Sequence, residues 1–324
     1  MISPGKVLIA GATGMAGIAI IKKLLEYKSN QAIRGTFLSR EPFFETARVE
    51  YLKANLTIYE DCRKALTDCQ SIIMAAAATG GALSARSDPA RQMTENAIMD
   101  LNMLQAAHDS CVKRIIYLSS ATVYQEFEGH ITEDQLDLNK DPYATYFGVG
   151  WAKRSAEKFC QFWREKFDHE VVILRVANIY GPFAKFDPIR SNFIPATIRK
   201  SVDKLDPFEV WGNPEVSRDV IFTSDFAEFV VRVLFMTELR SGVFNLGSGK
   251  KTTVGEVVKL ALESANHYPG KVIFLENRPT AIKVRSLDCG RIEKLTGWKP
   301  RIDISEGIRL TTEWWLQNKL RWDK

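Results

Sequence analysis

Three glycines near the start of the chain have a spacing that suits phosphate binding. Gly11, Gly14 and Gly17 recur at every third residue, directly after the apolar run at residues 7–10. Gly11 allows a sharp turn, Gly14 exposes bare backbone to a pyrophosphate, and Gly17 lets a helix pack closely on a strand. A helix starting near residue 18 would add free N–H groups and a partial positive charge. The pattern predicts a strand, a turn and a helix that bind a dinucleotide.

The elements that must position this loop are predicted from apolar runs and helical periodicity. Further strands are expected at residues 33–38, 49–56, 71–78 and 114–118 and from residue 171 towards residue 182, with amphipathic helices between them. The predicted fold is α/β, with a Rossmann-type doubly wound parallel sheet and a smaller C-terminal substrate-binding domain. The sheet domain is assigned residues 1–180 with returns near 220–248, and the smaller domain is assigned residues 181–219 and 249–324.

Length and composition are those of an ordinary globular protein. The 324 residues can bury a large core, and the hydrophobic fraction of 45% and charged fraction of 26% are typical of soluble proteins. The formal net charge of +5 is spread along the chain, so nucleic acid is not an expected partner. The chain enters the fold almost at once and has no long apolar run, so we expect neither a secretion signal nor a membrane span.

The cysteines indicate a reducing compartment. There are five, at positions 62, 69, 111, 160 and 289, an odd number without zinc-site spacing. We therefore expect free thiols, a cytoplasmic location and no metal site.

Several segments resemble the extended short-chain dehydrogenase/reductase family, which includes nucleotide-sugar epimerases, dehydratases and ketoreductases. They are the glycine loop, Ser-Ser-Ala-Thr-Val-Tyr at 119–124, Leu-Arg-Val-Ala-Asn-Ile-Tyr-Gly-Pro at 174–182 and the Arg-Asp segment at 218–225. Residues 119–124 are similar to those of the nucleotide-sugar 4-epimerases, and residues 185–200 and 210–212 look most like those of the GDP-L-fucose synthases. The resemblance covers essentially the whole chain and implies hydride transfer at C4 of a nucleotide-linked hexose.

The resemblance implies a catalytic serine, tyrosine and lysine, and the tyrosine is where this chain departs from it. Ser120 would polarise the sugar oxygen. The family places its tyrosine four residues before the lysine, but that position before Lys153 holds Val149. Tyr146 would take the role if residues 149–151 were an insertion absorbed by a bulge or a loosened first helical turn. In the alternative interpretation the tyrosine is missing, and the protein is slow, differently catalysed or only a binder.

The end of the second strand favours NADP over NAD. Ser39 and Arg40 stand there and no carboxylate precedes Glu41, and arginine suits a 2′-phosphate. A solvated arginine is the alternative, with NAD as the cofactor. The full set of implied cofactor residues is Gly11, Thr13, Gly14, Met15, Gly17, Ser39, Arg40, Asn55, Leu56, Ala75, Ala76, Ala77, Asn96, Ser119, Lys153 and Val176.

The substrate implied by the resemblance is a nucleotide diphosphate sugar, with GDP favoured. The implied contacts are Thr122, Asn178, Asn192, Trp211 and Arg218, and Arg218 would grip the diphosphate through bidentate bonds. Thr122 and Asn192 stand where the GDP-L-fucose synthases carry an acid and a base. Neither side chain titrates near neutral pH, so the chain offers no proton-transfer pair for the epimerase step.

Three functions remain open from the sequence. A GDP-4-keto-6-deoxysugar reductase leads, a 4-epimerase with retained NAD follows, and a cofactor-binding regulatory protein with degraded catalysis is the alternative from another class. In many relatives the long helices near residues 89–111 and after Asp141 form a dimer's four-helix bundle, so a homodimer is expected. Lys283 and Arg285 are expected at the surface, with a ligand-facing position as the alternative.

Overall fold

The computed structural model of the chain describes residues 5–27, 31–79, 89–187, 191–275 and 285–322. Its strands, in chain order, are β1 (Lys6–Ala10), β2 (Ile33–Phe37), β3 (Val49–Lys53), β4 (Cys69–Met74), β5 (Arg114–Ser120), β6 (Gly129–Ile131), β7 (Glu170–Val176), β8 (Asn178–Tyr180), β9 (Phe208–Trp211), β10 (Ser217–Arg218), β11 (Val220–Phe222), β12 (Gly242–Leu246), β13 (Thr252–Thr253), β14 (Val272–Leu275) and β15 (Arg285–Leu287). Its α-helices are α1 (Met15–Glu26), α2 (Tyr59–Leu66), α3 (Pro89–Asp109), α4 (Phe147–Phe167), α5 (Phe193–Val202), α6 (Thr223–Phe235), α7 (Val254–Ser264), α8 (Gly290–Thr296) and α9 (Ile304–Trp322).

Seven strands form one sheet in the order β12-β7-β5-β4-β1-β2-β3. Every neighbouring pair in it is parallel. The chain starts in β1, moves outward through β2 and β3, and then crosses back to β4, so the winding direction reverses between β1 and β4. In such sheets ligands bind at the carboxyl ends of the strands beside that reversal. The predicted Rossmann-type, doubly wound parallel sheet is confirmed.

Helices cover both faces of this sheet. On one face, Ile20 of α1 and Phe226 of α6 share a core with Ile9. On the other face, Leu104 of α3 and Cys160 of α4 lie in a second core. Central strands are buried on both sides as a result, which is why they have continuous apolar sequences. Among the described residues no helix has the length and apolarity needed to cross a bilayer.

The later part of the chain adds short ladders and helices outside the main sheet. β9 pairs with β14, β10 with β13, β8 with β11, and β6 with β15. Helices α5, α7 and α9 pack on one another around Ile198, Ala261 and Trp315. Helices α5, α7 and α9 lie in the segments to which the substrate-binding role is assigned, and the domain boundaries stay a prediction.

Candidate active site

The predicted cofactor residues follow the carboxyl ends of neighbouring strands. Gly11, Thr13, Gly14, Met15 and Gly17 lie between β1 and α1, Ser39 and Arg40 after β2, Asn55 and Leu56 after β3, Ala75, Ala76 and Ala77 after β4, Ser119 in β5 and Val176 at the end of β7. Adjacent parallel strands end at the same edge of a sheet, so the fold brings these segments together. Asn96 belongs to α3 and reaches the same edge through the loop after β4.

The glycine loop has the geometry of a phosphate cradle. Gly11 adopts φ +81°, and a Cβ there would lie 2.7 Å from Ala76 Cα in the neighbouring loop. A Cβ on Gly17 would overlap the carbonyl oxygen of Gly11, so α1 packs as closely as glycine permits. Gly14, by contrast, has φ −80° and its nearest obstacle is 3.5 Å away, at Gly11 O. Its open face, at a helix start without a side-chain cap, is where a pyrophosphate fits.

Two of the side chains predicted to contact the cofactor, Asn55 and Asn96, make hydrogen bonds within the protein. The Asn55 oxygen accepts hydrogen bonds from the Thr57 amide at 3.1 Å and the Thr57 hydroxyl at 2.8 Å, so the carbonyl that would accept from an adenine amino group is already occupied. Asn96 is buried, and its side chain makes two hydrogen bonds to the backbone of Ala78. It accepts from the Ala78 N–H at 2.8 Å and donates to the Ala78 carbonyl at 3.1 Å. Asn96 therefore holds the loop after β4.

The two serines at the end of β5 face different surroundings. Ser119 is buried and its hydroxyl donates to Glu157, 2.6 Å away, within a core network that includes Arg175. Ser120 caps a 3-10 turn at Ala121–Val123, where its oxygen accepts from the Thr122 amide at 3.2 Å. Accepting that N–H leaves the Ser120 hydroxyl proton free to be donated. The geometry thus suits Ser120 to polarise a substrate oxygen.

Lys153 lies in the core beneath this edge. Its ammonium donates to the Tyr117 hydroxyl at 2.8 Å and the Leu118 carbonyl at 3.2 Å, and lies 3.5 Å from an Asp100 oxygen. Tyr117 donates its own proton to Asp100 at 2.7 Å, and burial raises the pKa of Tyr117 well above its usual range. Lys153 is therefore a buried cation held by two hydrogen bonds and one ion pair.

Helix α4 places Val149 one turn before Lys153. The helix runs without interruption from Phe147 to Phe167, so the bulge proposed at residues 149–151 does not form. The irregular turn comes earlier, as the 3-10 segment Ala144–Tyr146. A Cβ on Gly150 would lie 2.7 Å from Thr122 O, so Gly150 lets α4 pack closely against the turn after β5. Tyr146 thus precedes the helix instead of joining the Lys153 face.

Arg285 comes from a distant part of the chain to the neighbourhood of Tyr146 and Arg218. Arg285 interacts electrostatically with Tyr146, Tyr124 and Arg218, and burial lowers its pKa to about 10. Within the described residues, Nε and Nη2 of Arg285 and Nε of Arg218 are buried without hydrogen-bond partners. Buried guanidinium donors without acceptors are costly unless an anion satisfies them. The two side chains form a candidate diphosphate clamp.

Asp219 connects the two segments that carry Arg218 and Arg285. It is 4% exposed, and its oxygens accept from the amides of Ser248, Gly249 and Leu287 at 2.8, 3.1 and 3.1 Å. Arg218 directly precedes Asp219, and Arg285 lies two residues before Leu287. Burial raises the Asp219 pKa, against the lowering effect of these hydrogen bonds. One carboxylate therefore ties together the two segments that carry the arginines.

The surface position expected for Arg285 is wrong, because β15 pairs with β6 and carries Arg285 over the Phe127 ring, 5.4 Å from its centroid. No local pattern marks this residue, since Gly129, its pairing partner, is far away in sequence. Lys283 lies outside the described residues.

The remaining predicted substrate residues are spread around this region. Thr122 has a buried hydroxyl without a hydrogen-bond partner in the described part of the chain. Asn178 donates from its amide to the Asp219 carbonyl at 3.2 Å, next to the clamp. Asn192 is exposed at the start of α5, and Trp211 is 36% exposed at the end of β9. In the described residues no group of three or more His, Cys, Asp and Glu side chains forms a metal-binding cluster.

Similar curated proteins span the full length of the chain. A putative GDP-L-fucose synthase 2 of Oryza sativa subsp. japonica is 29% identical over 97% of this chain and 88% of its own length. The GDP-mannose 3,5-epimerase of Arabidopsis thaliana is 27% identical over 98% of this chain and 84% of its own length.

The fold is shared with solved structures of nucleotide-sugar enzymes. The UDP-glucuronic acid 4-epimerase of Bacillus cereus, solved with UDP-glucuronic acid and NAD, superposes with a TM-score of 0.85 at 22% identity, over 96% of this chain and 99% of that chain. The sequence profile of one enzyme family, the NAD dependent epimerase/dehydratase family, matches residues 7–247. With its glycine loop, parallel sheet and matching profile, this chain belongs to the NAD-dependent epimerase/dehydratase family.

Proposed function

We propose that the protein is an NADP(H)-dependent reductase acting at C4 of a GDP-linked 4-keto-6-deoxyhexose, with NAD(H) as the alternative cofactor. The observation that carries the proposal is the set of buried guanidinium nitrogens of Arg218 and Arg285 that have no hydrogen-bond partner among the described residues, with Tyr146 interacting electrostatically with Arg285. A proton donor and an anion clamp at one place suit a substrate that joins a reactive sugar to a diphosphate.

The residues around the glycine loop fit a dinucleotide. Gly14 has room for a pyrophosphate where any side chain would intrude, and the uncapped start of α1 faces it. Ala75 and Ala76 carry only methyl groups beside Gly11, so the cofactor backbone can lie close. When bound, the nicotinamide supplies the hydride.

The side chains would then divide the work as follows. Ser120 donates a hydrogen bond to the C4 carbonyl oxygen and keeps its proton, which stabilises the negative charge that grows there. Tyr146 delivers the proton that completes the alcohol. Lys153 holds its positive charge beneath the reacting edge, and Asn178, Arg218 and Arg285 hold the diphosphate.

The names of the relatives support GDP as the nucleotide, and the lack of a titrating acid and base supports reduction without epimerisation. Both curated relatives described above are named for GDP sugars. Thr122 and Asn192 stand where an epimerase step needs an acid and a base, and neither side chain titrates near neutral pH. We therefore propose reduction without epimerisation at C3 and C5.

The test is the oxidation of NADPH and NADH, followed by absorbance, in the presence of GDP-4-keto-6-deoxymannose. Consumption of NADPH in preference to NADH supports both the substrate and the cofactor. A folded protein that binds dinucleotide and consumes neither cofactor would contradict the proposal. No turnover with any nucleotide sugar tested would instead favour a cofactor-binding regulatory protein.

A 4-epimerase with retained NAD is the second candidate. It is favoured by residues 119–124 and by the fold shared with the Bacillus cereus 4-epimerase. An epimerase regenerates its cofactor in each cycle and so holds it tightly. Stoichiometric NAD in the purified protein, released on denaturation, would favour this function over the reductase.

We also propose a cytoplasmic homodimer formed by α3 and α4. These helices pack together and leave six large apolar side chains exposed, Met93, Ile98, Leu101, Phe147, Phe162 and Phe167, at 45%, 41%, 42%, 52%, 46% and 43%. A second copy would cover them as a four-helix bundle. Light scattering should give twice the monomer mass, and Leu101→Lys should halve it. A monomeric parent protein would contradict the proposal.

A further inference from the structure

The last turn of α9 contacts the loop that follows β2. The guanidinium carbon of Arg40 lies 4.1 Å from the centroid of the Trp322 ring. One residue before Trp322, Arg321 lies 4.1 Å from the centroid of Phe43 and donates to the Phe43 carbonyl at 2.6 Å. Two cation–π contacts and a hydrogen bond therefore connect the end of the chain's last described helix to the predicted adenosine site.

Trp322 is a rigid platform for this contact. It is 7% exposed, and its indole N–H donates to the Ala184 carbonyl at 2.6 Å. Its ring lies 5.6, 5.5 and 5.4 Å from those of Phe43, Phe183 and Trp314. Aromatic rings packed at such distances restrict one another's motion, so the face under Arg40 is fixed.

The platform also lies against the phosphate-binding helix. Ile18 of α1 belongs to the same apolar cluster as Trp322, and Met15, the first residue of α1, packs on that cluster. Arg40 is therefore held near the end of α1 that faces the phosphates. The ribose of a dinucleotide bound to the glycine loop lies between this helix end and the end of β2.

Arg40 itself is available to a ligand. Its side chain is exposed and makes no hydrogen bond or ion pair within the described part of the chain. Stacking uses the face of a guanidinium and leaves the N–H groups at its edge free for a phosphate. Lys22, over the Phe183 ring at 5.4 Å, adds positive charge nearby, while Glu41 and Glu45 of the same loop oppose it.

We infer that Trp322 is a positioning residue for cofactor selection. Its ring stacks under Arg40, so that the N–H edge of the Arg40 guanidinium faces the ribose 2′-phosphate of NADP(H). The inference rests on the NADP(H) preference in the proposed function, and it adds Trp322 as the residue that orients Arg40 for the 2′-phosphate. Without the stack, Arg40 must give up rotamer freedom on binding, so the preference for the phosphate falls.

The test compares the binding of 2′,5′-ADP and 5′-AMP by calorimetry. These probes differ only in the 2′-phosphate and carry neither nicotinamide nor sugar, so the result is independent of whether the sugar substrate is right. The parent protein should prefer 2′,5′-ADP by about tenfold or more. Arg40→Leu should remove the preference, and Trp322→Leu should reduce it about fivefold while 5′-AMP binding stays unchanged.

Two further variants show whether the stack is the cause. Trp322→Phe keeps an aromatic face but loses the bond to Ala184, so it should retain most of the preference. Arg40→Leu combined with Trp322→Leu should be no worse than Arg40→Leu alone. If Trp322→Leu does not fold, Trp322→Met takes its place, because a flexible thioether fills the space without an aromatic face.

Three results would overturn the inference. The first is a parent protein that does not distinguish the two probes. The second is an unchanged preference in Trp322→Leu or its methionine counterpart. The third is an equal loss of affinity for both probes, which would make Trp322 a support for the fold alone.

Discussion

The ammonium nitrogen of Lys153 lies 3.5 Å from a carboxylate oxygen of Asp100, and the two side chains are 8% and 6% exposed. The Tyr117 hydroxyl and the Leu118 carbonyl complete its hydrogen bonding. Two hydrogen bonds and one ion pair thus hold the ammonium group. Any bond from Lys153 to a nicotinamide ribose competes with these partners, and the ion pair with Asp100 is part of the fold's stability.

Asp100→Asn should lower the free energy of unfolding by about 3 kcal/mol, because it leaves the Lys153 cation buried without its counter-charge. Chemical denaturation measures the change. The double variant Asp100→Asn with Lys153→Met removes both charges and should recover most of the loss. An unchanged midpoint in the single variant would show that the pair does not stabilise the protein.

Gly14→Ala should leave folding intact and weaken dinucleotide binding about tenfold or more. The methyl group meets ordinary contacts in the protein, 3.5 Å from Gly11 O, but occupies the space of the pyrophosphate. Gly17→Ala is the matched variant with the opposite expectation: its methyl would overlap Gly11 O, so the melting temperature should fall. Normal cofactor affinity in Gly14→Ala would place the phosphates elsewhere.

Tyr146→Phe should reduce reductase activity about 100-fold or more, since it removes only the proposed proton donor. Tyr143→Phe is the control, because its ring lies 6.2 Å from that of Tyr146 in the same turn but has no assigned role. Steady-state rates with saturating cofactor measure both. Full activity in Tyr146→Phe would remove the proton-transfer assignment.

Arg285→Met and Arg218→Met should each weaken GDP binding about tenfold or more, because each removes charge-assisted hydrogen bonds to the diphosphate. Guanosine binding should change little, since guanosine has no phosphate. Arg309→Met, an exposed arginine of α9, is the control and should bind GDP normally. Equal losses for GDP and guanosine would indicate a general disturbance of the site.

The stability of the fold should fall as the pH drops below about 6.5, through the titration of His169. Burial lowers the pKa of His169, whose Nδ1 donates to the Val112 carbonyl at 2.8 Å while Nε2 faces His108 Nδ1 at 3.2 Å. The folded state thus binds this proton less readily than the unfolded chain, and stability increases with pH through the window. His169→Gln should flatten the dependence of melting temperature on pH between 5 and 7. If the melting temperature of His169→Gln depends on pH as steeply as that of the parent protein, other groups cause the dependence.

Local patterns predicted the fold well and the long-range parts of the site poorly. The glycine loop is visible because Gly11, Gly14 and Gly17 have roles set by a single turn. Arg285 was misplaced because its burial comes from pairing between β15 and β6, which no short pattern encodes. The partner of Lys153 was missed for the same reason, since Asp100 is on another helix.

The helix start at Tyr146 shows a different limit. The sequence pattern placed a bulge or loosened turn at residues 149–151, and the irregular turn lies earlier, at Ala144–Tyr146. Its place could not be predicted, because Gly150 is used for close packing against Thr122 and stays helical.

The central claim is hydride transfer to C4 of a GDP-linked sugar without exchange at C3 or C5. The direct measurement is the isotopic composition of the product formed from GDP-4-keto-6-deoxymannose with NADPH deuterated at C4 of the nicotinamide, with a parallel reaction in D₂O and unlabelled NADPH. The account predicts deuterium at sugar C4 in the first reaction and no carbon-bound solvent deuterium at C3 or C5 in the second. A product without cofactor deuterium at C4, or one that gains solvent deuterium at C3 or C5, would contradict it.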